Sequence, residues 1–415
     1  MTRPAGHVPV VTFTDPTVSV LLIGADQRGV THRLFAAIAH LDIEVIDIEQ
    51  LVLRGRLVLA ALLTDPVDRA GFEAAVRSVA TELSMDLDLG YGTGDNRARR
   101  LGRIHVTVLG APLLPSAMAG IAACIAETGA NIDRIVRMAR YPVTAIDLDV
   151  SGADPDLLRI TLSREAARQG VDIAVQPLGI SRHAQRLVVM DVDSTLIEGE
   201  VIEMLAAHAG CEPEVAAVTG AAMRGELDFA ESLRARVALL AGADAGVLDE
   251  VYRSIVYTRG ARTMIRTLKR LGYRFALVSG GFSQIIERIA QDLDIDFWAA
   301  NTLEVTGGKL TGRVTGPILD RAGKAAALRG FAAQASIPVA NTVAIGDGAN
   351  DIDMIGAAGL GIAFNAKPAL RDAADTSVTV PYLDAIVYLL GITREEVEAG
   401  DAAAGFVPGS GRSPG

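Results

Sequence analysis

The sequence predicts an α/β protein: a doubly wound parallel-sheet core with an inserted helical segment, preceded by two ferredoxin-like α+β units. Three observations predict it. A strand–helix–strand–strand–helix–strand pattern runs twice through the first 180 residues. From Leu187 onward, short apolar strands ending in glycine or aspartate alternate with helical segments. Between Glu200 and about Leu271 that alternation gives way to helix after helix.

At 415 residues the chain is too long for one ordinary core. It is 50% hydrophobic and 21% charged, an ordinary globular composition. No stretch approaches the ~18 unbroken apolar residues that span a bilayer. The start, "MTRPAGHVPVVTFTDP", has no basic cluster leading into an apolar run, so no signal peptide is read. Cys124 and Cys211 lie in alanine-rich helical contexts without framework spacing, which fits a reducing compartment and a cytoplasmic location. The net charge of −11 argues against nucleic acid or an anionic membrane as partner. A site for an anion must therefore carry its own local positive charge.

The repeat sets the domain organisation. "VSVLLIGADQRGVTHRLFAAIAHLDIEVIDIEQ", from Val18, and "IHVTVLGAPLLPSAMAGIAACIAETGANIDRIV", from Ile104, each read as strand, glycine turn, striped helix and alternating strand. Gly24 and Gly110 mark equivalent turns. "RLVLAALL" and "VTAIDLDV" supply the next strands, and "MDLDLG" and "VDIAVQPLG" the last. The units are placed at 17–93 and 102–180, separated by the polar linker "GYGTGDNRARR" and followed by "SRHAQR". The α/β core is placed at 186–398, with its helical insertion at about 199–271. The tail, 399–415, is expected to be disordered.

Strands of the core are read at "RLVVMD", "RFALVSG", "TVAIGDG" and "GLGIAF". In an open α/β sheet, ligands sit at the carboxyl ends of strands. Polar groups gather there: Asp191, Asp193 and Thr195; Ser279 and Gly280; Asp347, Asn350 and Asp351. Lys324 opens a helix between the last two groups. A carboxylate cluster of this kind suits a hard cation such as Mg²⁺, and a serine with following amides can grip phosphate oxygens. The chain has four lysines against thirty-five arginines, so a lysine at 324 hints that a compact ammonium matters there. Singly, each piece reads as a turn, a cap or a solvated side chain. Their order and context carry the functional reading.

"DVDSTLIEGE", "VSGGFS", "GK" and "GDGANDIDM" resemble the four motifs of the haloacid dehalogenase superfamily, and the helical insertion resembles its small helical cap. Within it, residues from about Leu187 to Gly391 are similar to the phosphoserine phosphatase family. The N-terminal repeats resemble ACT domains, which sense amino acids. In the first copy Arg28 stands where proline is common, and the second copy has lost the aspartate that follows the glycine.

The resemblance implies a Mg²⁺-dependent phosphatase that forms an aspartyl-phosphate on Asp191, with Asp193 as general acid and then base. It assigns the metal to Asp191, the Asp193 carbonyl and Asp347, with Asp351 in support. Lys324 offsets charge, Ser279 and Gly280 hold phosphate oxygens, and Asn350 reaches the substrate. Arg236 and Glu200 stand where the family grips the carboxylate and ammonium of phosphoserine. Met223 and Phe229 match its apolar cap positions. Gly24, Asp26, Gly29 and Gly110 are the expected turn residues for an amino-acid effector such as L-serine, and ACT-like pairing implies a homodimer. The alternatives are a relative acting on another small phosphate, or an amino-acid-sensing regulator with a silent hydrolase domain.

Overall fold

The computed structural model describes residues 15–94, 103–177, 187–223 and 226–406. The chain divides into two compact units, Met1–Arg99 and Arg100–Gly415.

In the first unit, β1 (Pro16–Ala25), α1 (Val30–Ile38), β2 (Val45–Leu53), β3 (Arg56–Thr64), α2 (Arg69–Leu83) and β4 (Asp86–Thr93) follow the expected order. They form an antiparallel sheet ordered β2-β3-β1-β4. Val18, Val20 and Leu22 alternate onto the helical side, against Leu34, Phe72 and Val76. The strand β4 runs through Thr93, so the first four residues of the expected linker, Gly90–Thr93, pair with β1 instead.

The second unit opens with the same plan: β5 (Ile104–Gly110), α3 (Pro115–Glu127), β6 (Asn131–Ala139), β7 (Thr144–Ser151), α4 (Pro155–Gln169) and β8 (Asp172–Pro177), ordered β6-β7-β5-β8. It does not stand alone. Leu109, Met138, Ala145 and Ala174, on the face away from its helices, join the apolar core of the large sheet that follows. The Thr379 N–H donates to Asp172 Oδ2 at 2.7 Å, and Gln176 Nε2 donates to the Leu389 carbonyl at 3.1 Å.

The large sheet comprises β9 (Leu187–Asp191), β10 (Arg274–Phe282), β11 (Phe297–Thr306), β12 (Lys309–Thr315), β13 (Thr342–Gly346), β14 (Leu360–Phe364) and β15 (Thr376–Val378). Its order is β12-β11-β10-β9-β13-β14-β15, parallel except for β12. Every residue of β9 is buried, which explains the unbroken apolar run of its sequence. Val188 and Met190 face one helical layer; Leu187 and Val189 face the other. The four strands read from the sequence are present. The reading missed the β11–β12 hairpin, turned by Gly307 and Gly308 at positive φ, and the three-residue β15.

The helices are α5 (Val201–Ala209), α6 (Glu212–Met223), α7 (Phe229–Ala238), α8 (Val247–Ser254), α9 (Ala261–Arg270), α10 (Ser283–Asp292), α11 (Arg321–Gln334), α12 (Ile352–Ala357), α13 (Pro368–Arg371), α14 (Ile386–Leu389) and α15 (Arg394–Ala403). The helical insertion runs from α5 to α8. The expected limit near 271 is too late, because α9 packs on β10, α14 and α15 as part of the sheet's own helical layer. No described helix is long and apolar enough to cross a membrane.

The expectation of a disordered tail from 399 is corrected as far as Phe406; residues 407–415 lie outside the described residues. Asp401 is buried and accepts hydrogen bonds from Arg266 at 2.9 and 2.7 Å and from Arg270 at 2.6 Å, and the Arg266 guanidinium lies over the Phe406 ring. Burial raises the Asp401 pKa, but the two arginines outweigh it and hold the carboxyl below its usual range. A depressed pKa stabilises the fold above the unfolded value and loses that contribution as pH falls through the folded one. Asp401→Ala should therefore cost about 1–2 kcal/mol after discounting for solvent screening. The gap in thermal midpoint between wild type and variant should hold near neutral pH and shrink below about pH 4.

Candidate active site

The strand order reverses on either side of β9, so a crevice opens at its carboxyl end. The chain leaves Asp191 in a tight turn, with Ser194 at φ 58°, and folds back so that the Ser194 N–H donates to the Gly199 carbonyl at 2.9 Å. The outgoing and returning ends of the helical insertion then run side by side. Glu198 and Thr258 donate their backbone N–H groups to Val256 and Leu196. The insertion is thus hinged directly on the segment that carries the aspartates.

Behind the crevice, Lys324 is buried between two carboxylates. Its Nζ donates to Asp191 Oδ1 and to Asp351 Oδ1, both at 2.7 Å. It sits in the first turn of α11, whose start is fixed by Asp320 accepting from the Gly323 N–H at 2.8 Å. Burial works against the ammonium, but Asp191 and Asp351 more than offset it and raise its pKa. Carboxylate oxygens of Asp191, Asp347 and Asp351 lie within 4.8 Å of one another. One lysine cannot neutralise three such groups. Burial and the Asp351 charge push Asp191 well above the usual range and Asp347 up to about 6. An all-oxygen donor set with surplus negative charge fits a hard divalent cation. Asp351 has both oxygens engaged, by Lys324 and by the Gly348 N–H at 3.1 Å, so it braces the cluster from behind.

Asp193 faces the cavity with both oxygens accepting: Oδ1 from the Val201 N–H and Oδ2 from the Ser279 hydroxyl, each at 2.8 Å. Ser279 Oγ in turn accepts from the Gly281 N–H at 2.8 Å. The Ser279 hydroxyl is therefore spent on Asp193, and Gly280 and Gly281 are the members of that loop that line the cavity. Glycine is required at 281. A Cβ there would lie 2.9 Å from Ser279 Oγ and 3.2 Å from Asp193 Oδ2. Phe229, at the start of α7, lies over the same loop; a Cβ on Gly280 would be 3.2 Å from its ring.

The cavity holds about 410 Å³ and is shared between sheet and insertion. Asp191, Asp193, Asp347 and Asn350 line it from the sheet; Glu200, Phe229 and Arg236 line it from the insertion. Arg236 Nη1 stands 3.9 Å from Glu200 Oε2. Burial and Asp193 raise the Glu200 pKa, while burial lowers that of Arg236; each partner's charge opposes the other's shift. The side chain of Met223 lies outside the described residues. Lys367 and Asn301 are among the lining or supporting residues that escaped the sequence reading. Lys367 lines the cavity from the loop after β14. Asn301, buried at β11, donates from Nδ2 to the Gly280 carbonyl at 2.9 Å and accepts from the Leu319 N–H at 2.8 Å. It ties the glycine loop to the segment leading into α11. Only recognition of β11 as a strand could have pointed to it.

Of the expected effector turns, Asp26 and Gly29 line a cavity of about 390 Å³ in the first unit, together with Gln27, Arg28, Thr31 and Gln50. Gly24 does not line it. A Cβ on Gly24 would lie 2.6 Å from Met85 Cγ, so its small size serves packing. A Cβ on Gly110 would likewise lie 2.8 Å from Leu113 Cα.

A haloacid dehalogenase-like hydrolase family model matches residues 188–355, and ACT-domain models match residues 17–90 and 104–176. The chain is 59% identical over 391 residues to a phosphoserine phosphatase of Streptomyces coelicolor, covering 94% of this chain and 95% of that one. It is 51% identical to phosphoserine phosphatase SerB2 of Mycobacterium tuberculosis, covering 93% and 96%. Among solved structures, a HAD family hydrolase from Salmonella enterica serovar Typhi superposes with a TM-score of 0.60 at 25% identity, covering 69% of this chain and 98% of that one.

Replacing Asn301 by alanine removes the partner of a partly buried carbonyl and of a partly buried N–H, costing up to about 1–3 kcal/mol for each. Asn301→Ala should lower kcat by roughly tenfold or more through displacement of the Gly280 loop. Asn301→Asp, which turns an acceptor toward the Gly280 carbonyl, should be worse. Steady-state kinetics on variants that retain their circular dichroism would check both.

Proposed function

Because the chain belongs to the phosphoserine phosphatases of the haloacid dehalogenase-like hydrolases, we propose that it hydrolyses O-phospho-L-serine to L-serine and phosphate, the last step of L-serine biosynthesis, in the cytoplasm. The substrate assignment rests on one observation. The Arg236–Glu200 pair faces the same cavity as Asp191, offering a guanidinium to a carboxylate and a carboxylate to an ammonium.

In this reading Asp191, the Asp193 carbonyl and Asp347 would hold Mg²⁺, which supplies charge neutralisation and polarises a phosphoryl oxygen. Asp191 attacks phosphorus; its bond to phosphorus forms as the serine oxygen departs, and Asp193 delivers the proton that oxygen needs. Water then attacks the aspartyl-phosphate, Asp193 takes its proton, and the bond to Asp191 breaks to release phosphate. Ser279, bonded to Asp193, and the Gly281 N–H behind it keep that carboxyl aimed at the leaving oxygen. Lys324 keeps two carboxylates compatible at one buried point. Asn350 and the Gly280 amide contact the phosphoryl group, and Phe229 with Met223 excludes water when the insertion closes.

Phosphate release from a panel of small phosphomonoesters, with Mg²⁺ or with a chelator, tests the reading. Phosphoserine should be the preferred substrate, the chelator should abolish turnover, and Asp191→Asn should be folded and inactive. Arg236→Ala should lower kcat/KM on phosphoserine by about ten- to a hundredfold, the worth of a charge-assisted contact, and far less on an aryl phosphate. Equal losses on both would assign Arg236 to closure of the insertion.

The first-unit cavity, with Asp26 beside Arg28, supports an amino-acid effector, L-serine in this proposal. Edge strand β2 exposes Val45, Leu51 and Leu53, which supports edge pairing into a homodimer. Asp26→Ala should weaken inhibition by serine and leave kcat and KM unchanged in its absence. Undiminished serine inhibition would place that inhibition at the active site as simple product binding.

A further inference from the structure

The phosphoserine reading leaves one charged residue of the cavity without a task. Among the described residues that line it, four charged side chains are acids, Asp191, Asp193, Glu200 and Asp347, and two are bases, Arg236 and Lys367. Lys324 is not among them, because it is buried behind Asp191 and its charge is committed there. Arg236 is opposed by Glu200 across 3.9 Å. Lys367 is exposed and makes no ion pair with any described residue. It is the lining cation left without an acid partner.

Its backbone is nonetheless fixed. The Lys367 N–H donates to the Asp347 carbonyl at 3.0 Å, and Lys367 caps α13, whose first residue is Pro368. Two residues earlier, the Asn365 N–H donates to the Val378 carbonyl at 2.9 Å. The loop therefore holds a free ammonium on the sheet side of the cavity, opposite the insertion that carries Arg236. Its field reaches both walls, since it opposes the upward shifts of Glu200 and Asp347. Resting on the phosphatase reading, the substrate brings a phosphate dianion and a carboxylate into a cavity lined by four acids. One lining cation is matched to its carboxylate. Lys367 is the remaining lining cation placed to meet the phosphate as it crosses the acidic rim.

We infer that Lys367 is a substrate-binding residue that draws in the phosphate group of the substrate and holds released inorganic phosphate, while the bond-breaking step itself does not use it. This assigns the two lining cations to opposite ends of one molecule: Arg236 to the carboxylate, Lys367 to the phosphate. A plain solvated lysine, with only its backbone at work, is the opposing reading.

Lys367→Gln keeps the backbone donor and the length of the side chain and removes the charge. It should raise KM for phosphoserine about three- to tenfold with kcat within about twofold, as expected for an exposed charge acting on binding. Inhibition by inorganic phosphate should weaken by the same factor, and Lys367→Arg should restore both. Raising ionic strength should lower kcat/KM more steeply for wild type than for Lys367→Gln. Unchanged KM with unchanged phosphate inhibition would overturn the inference, as would a fall in kcat at constant KM. Calorimetric titration of the Mg²⁺-loaded protein with inorganic phosphate separates this from the function reading. If wild type binds phosphate more tightly than Lys367→Gln but does not turn over phosphoserine, Lys367 stands and the substrate assignment fails. If wild type turns over phosphoserine and both bind phosphate equally, the reverse holds.

Discussion

The site depends on one buried ion cluster: Lys324 held 2.7 Å from both Asp191 and Asp351, beneath Asp347. Burying an ammonium with two carboxylates is costly unless each charge is met by geometry, and breaking such a cluster leaves an uncompensated charge. The fold meets that geometry by converging three element ends on one point. The central strand β9 delivers Asp191, the capped first turn of α11 delivers Lys324, and the loop after β13 delivers Asp351. Gly346 permits the approach, since a Cβ there would lie 2.5 Å from the Asp351 carboxyl. The arrangement still carries more negative charge than Lys324 can offset. The same geometry therefore leaves the crevice an all-oxygen donor set with surplus negative charge, which fits a hard divalent cation.

The four polar strand ends were legible because each motif couples a strict local geometry to a short apolar strand, and such strands announce themselves by unbroken hydrophobicity. Asp191, Lys324, Asp347 and Asp351 converge on one point, and Asp193 lines the same cavity. What was not legible depends on partners distant in sequence. Asn301 looks like any polar residue at a strand, and its value comes from touching Gly280 and Leu319. Ser279 read as a phosphate ligand, yet its hydroxyl donates to Asp193, a contact across 86 positions. Asp401 read as part of a loose tail because alanine and glycine surround it; two arginines on α9 order it. Gly24, expected at an effector turn, instead pairs with Leu57 inside β1, and a Cβ there would lie 2.6 Å from Met85 Cγ, contacts that only the folded sheet shows.

The second ferredoxin-like domain is joined to the phosphatase sheet rather than tethered to it. Its face away from the helices contributes to the same apolar core as β9 and β10. The joint also has a polar part, with Asp172 accepting from Thr379 just past β15, and burial pushing that carboxyl up to about 6. Helix α15 lies between β6 and α9 and pairs with both, through Glu395 to Arg137 and Asp401 to Arg266. The contacts of this domain reach β15 and α15 and, through α15, α9, which leads straight into β10, the strand that carries the Ser279–Gly281 loop.

In the proposed reading, selectivity would follow from the Arg236–Glu200 pair on the cavity wall. Glu200 and Arg236 are each partly desolvated, and the charge of each opposes the shift that burial imposes on the other. A zwitterionic substrate can replace that mutual contact by two better ones, with no net charge added to the wall. A sugar phosphate offers neither group, so it must bind without relaxing the pair. An alkyl phosphate bearing only a carboxylate would engage Arg236 and leave Glu200 partly buried beside an anion, which is worse than leaving both untouched. Discrimination of this kind penalises the half-correct ligand, and it needs no close fit to the serine carbon skeleton. In the proposed reading, Arg236 and Glu200 on the insertion would meet the amino-acid end of the substrate and the aspartates on the sheet its phosphate, so the two ends would be met by different walls of one cavity.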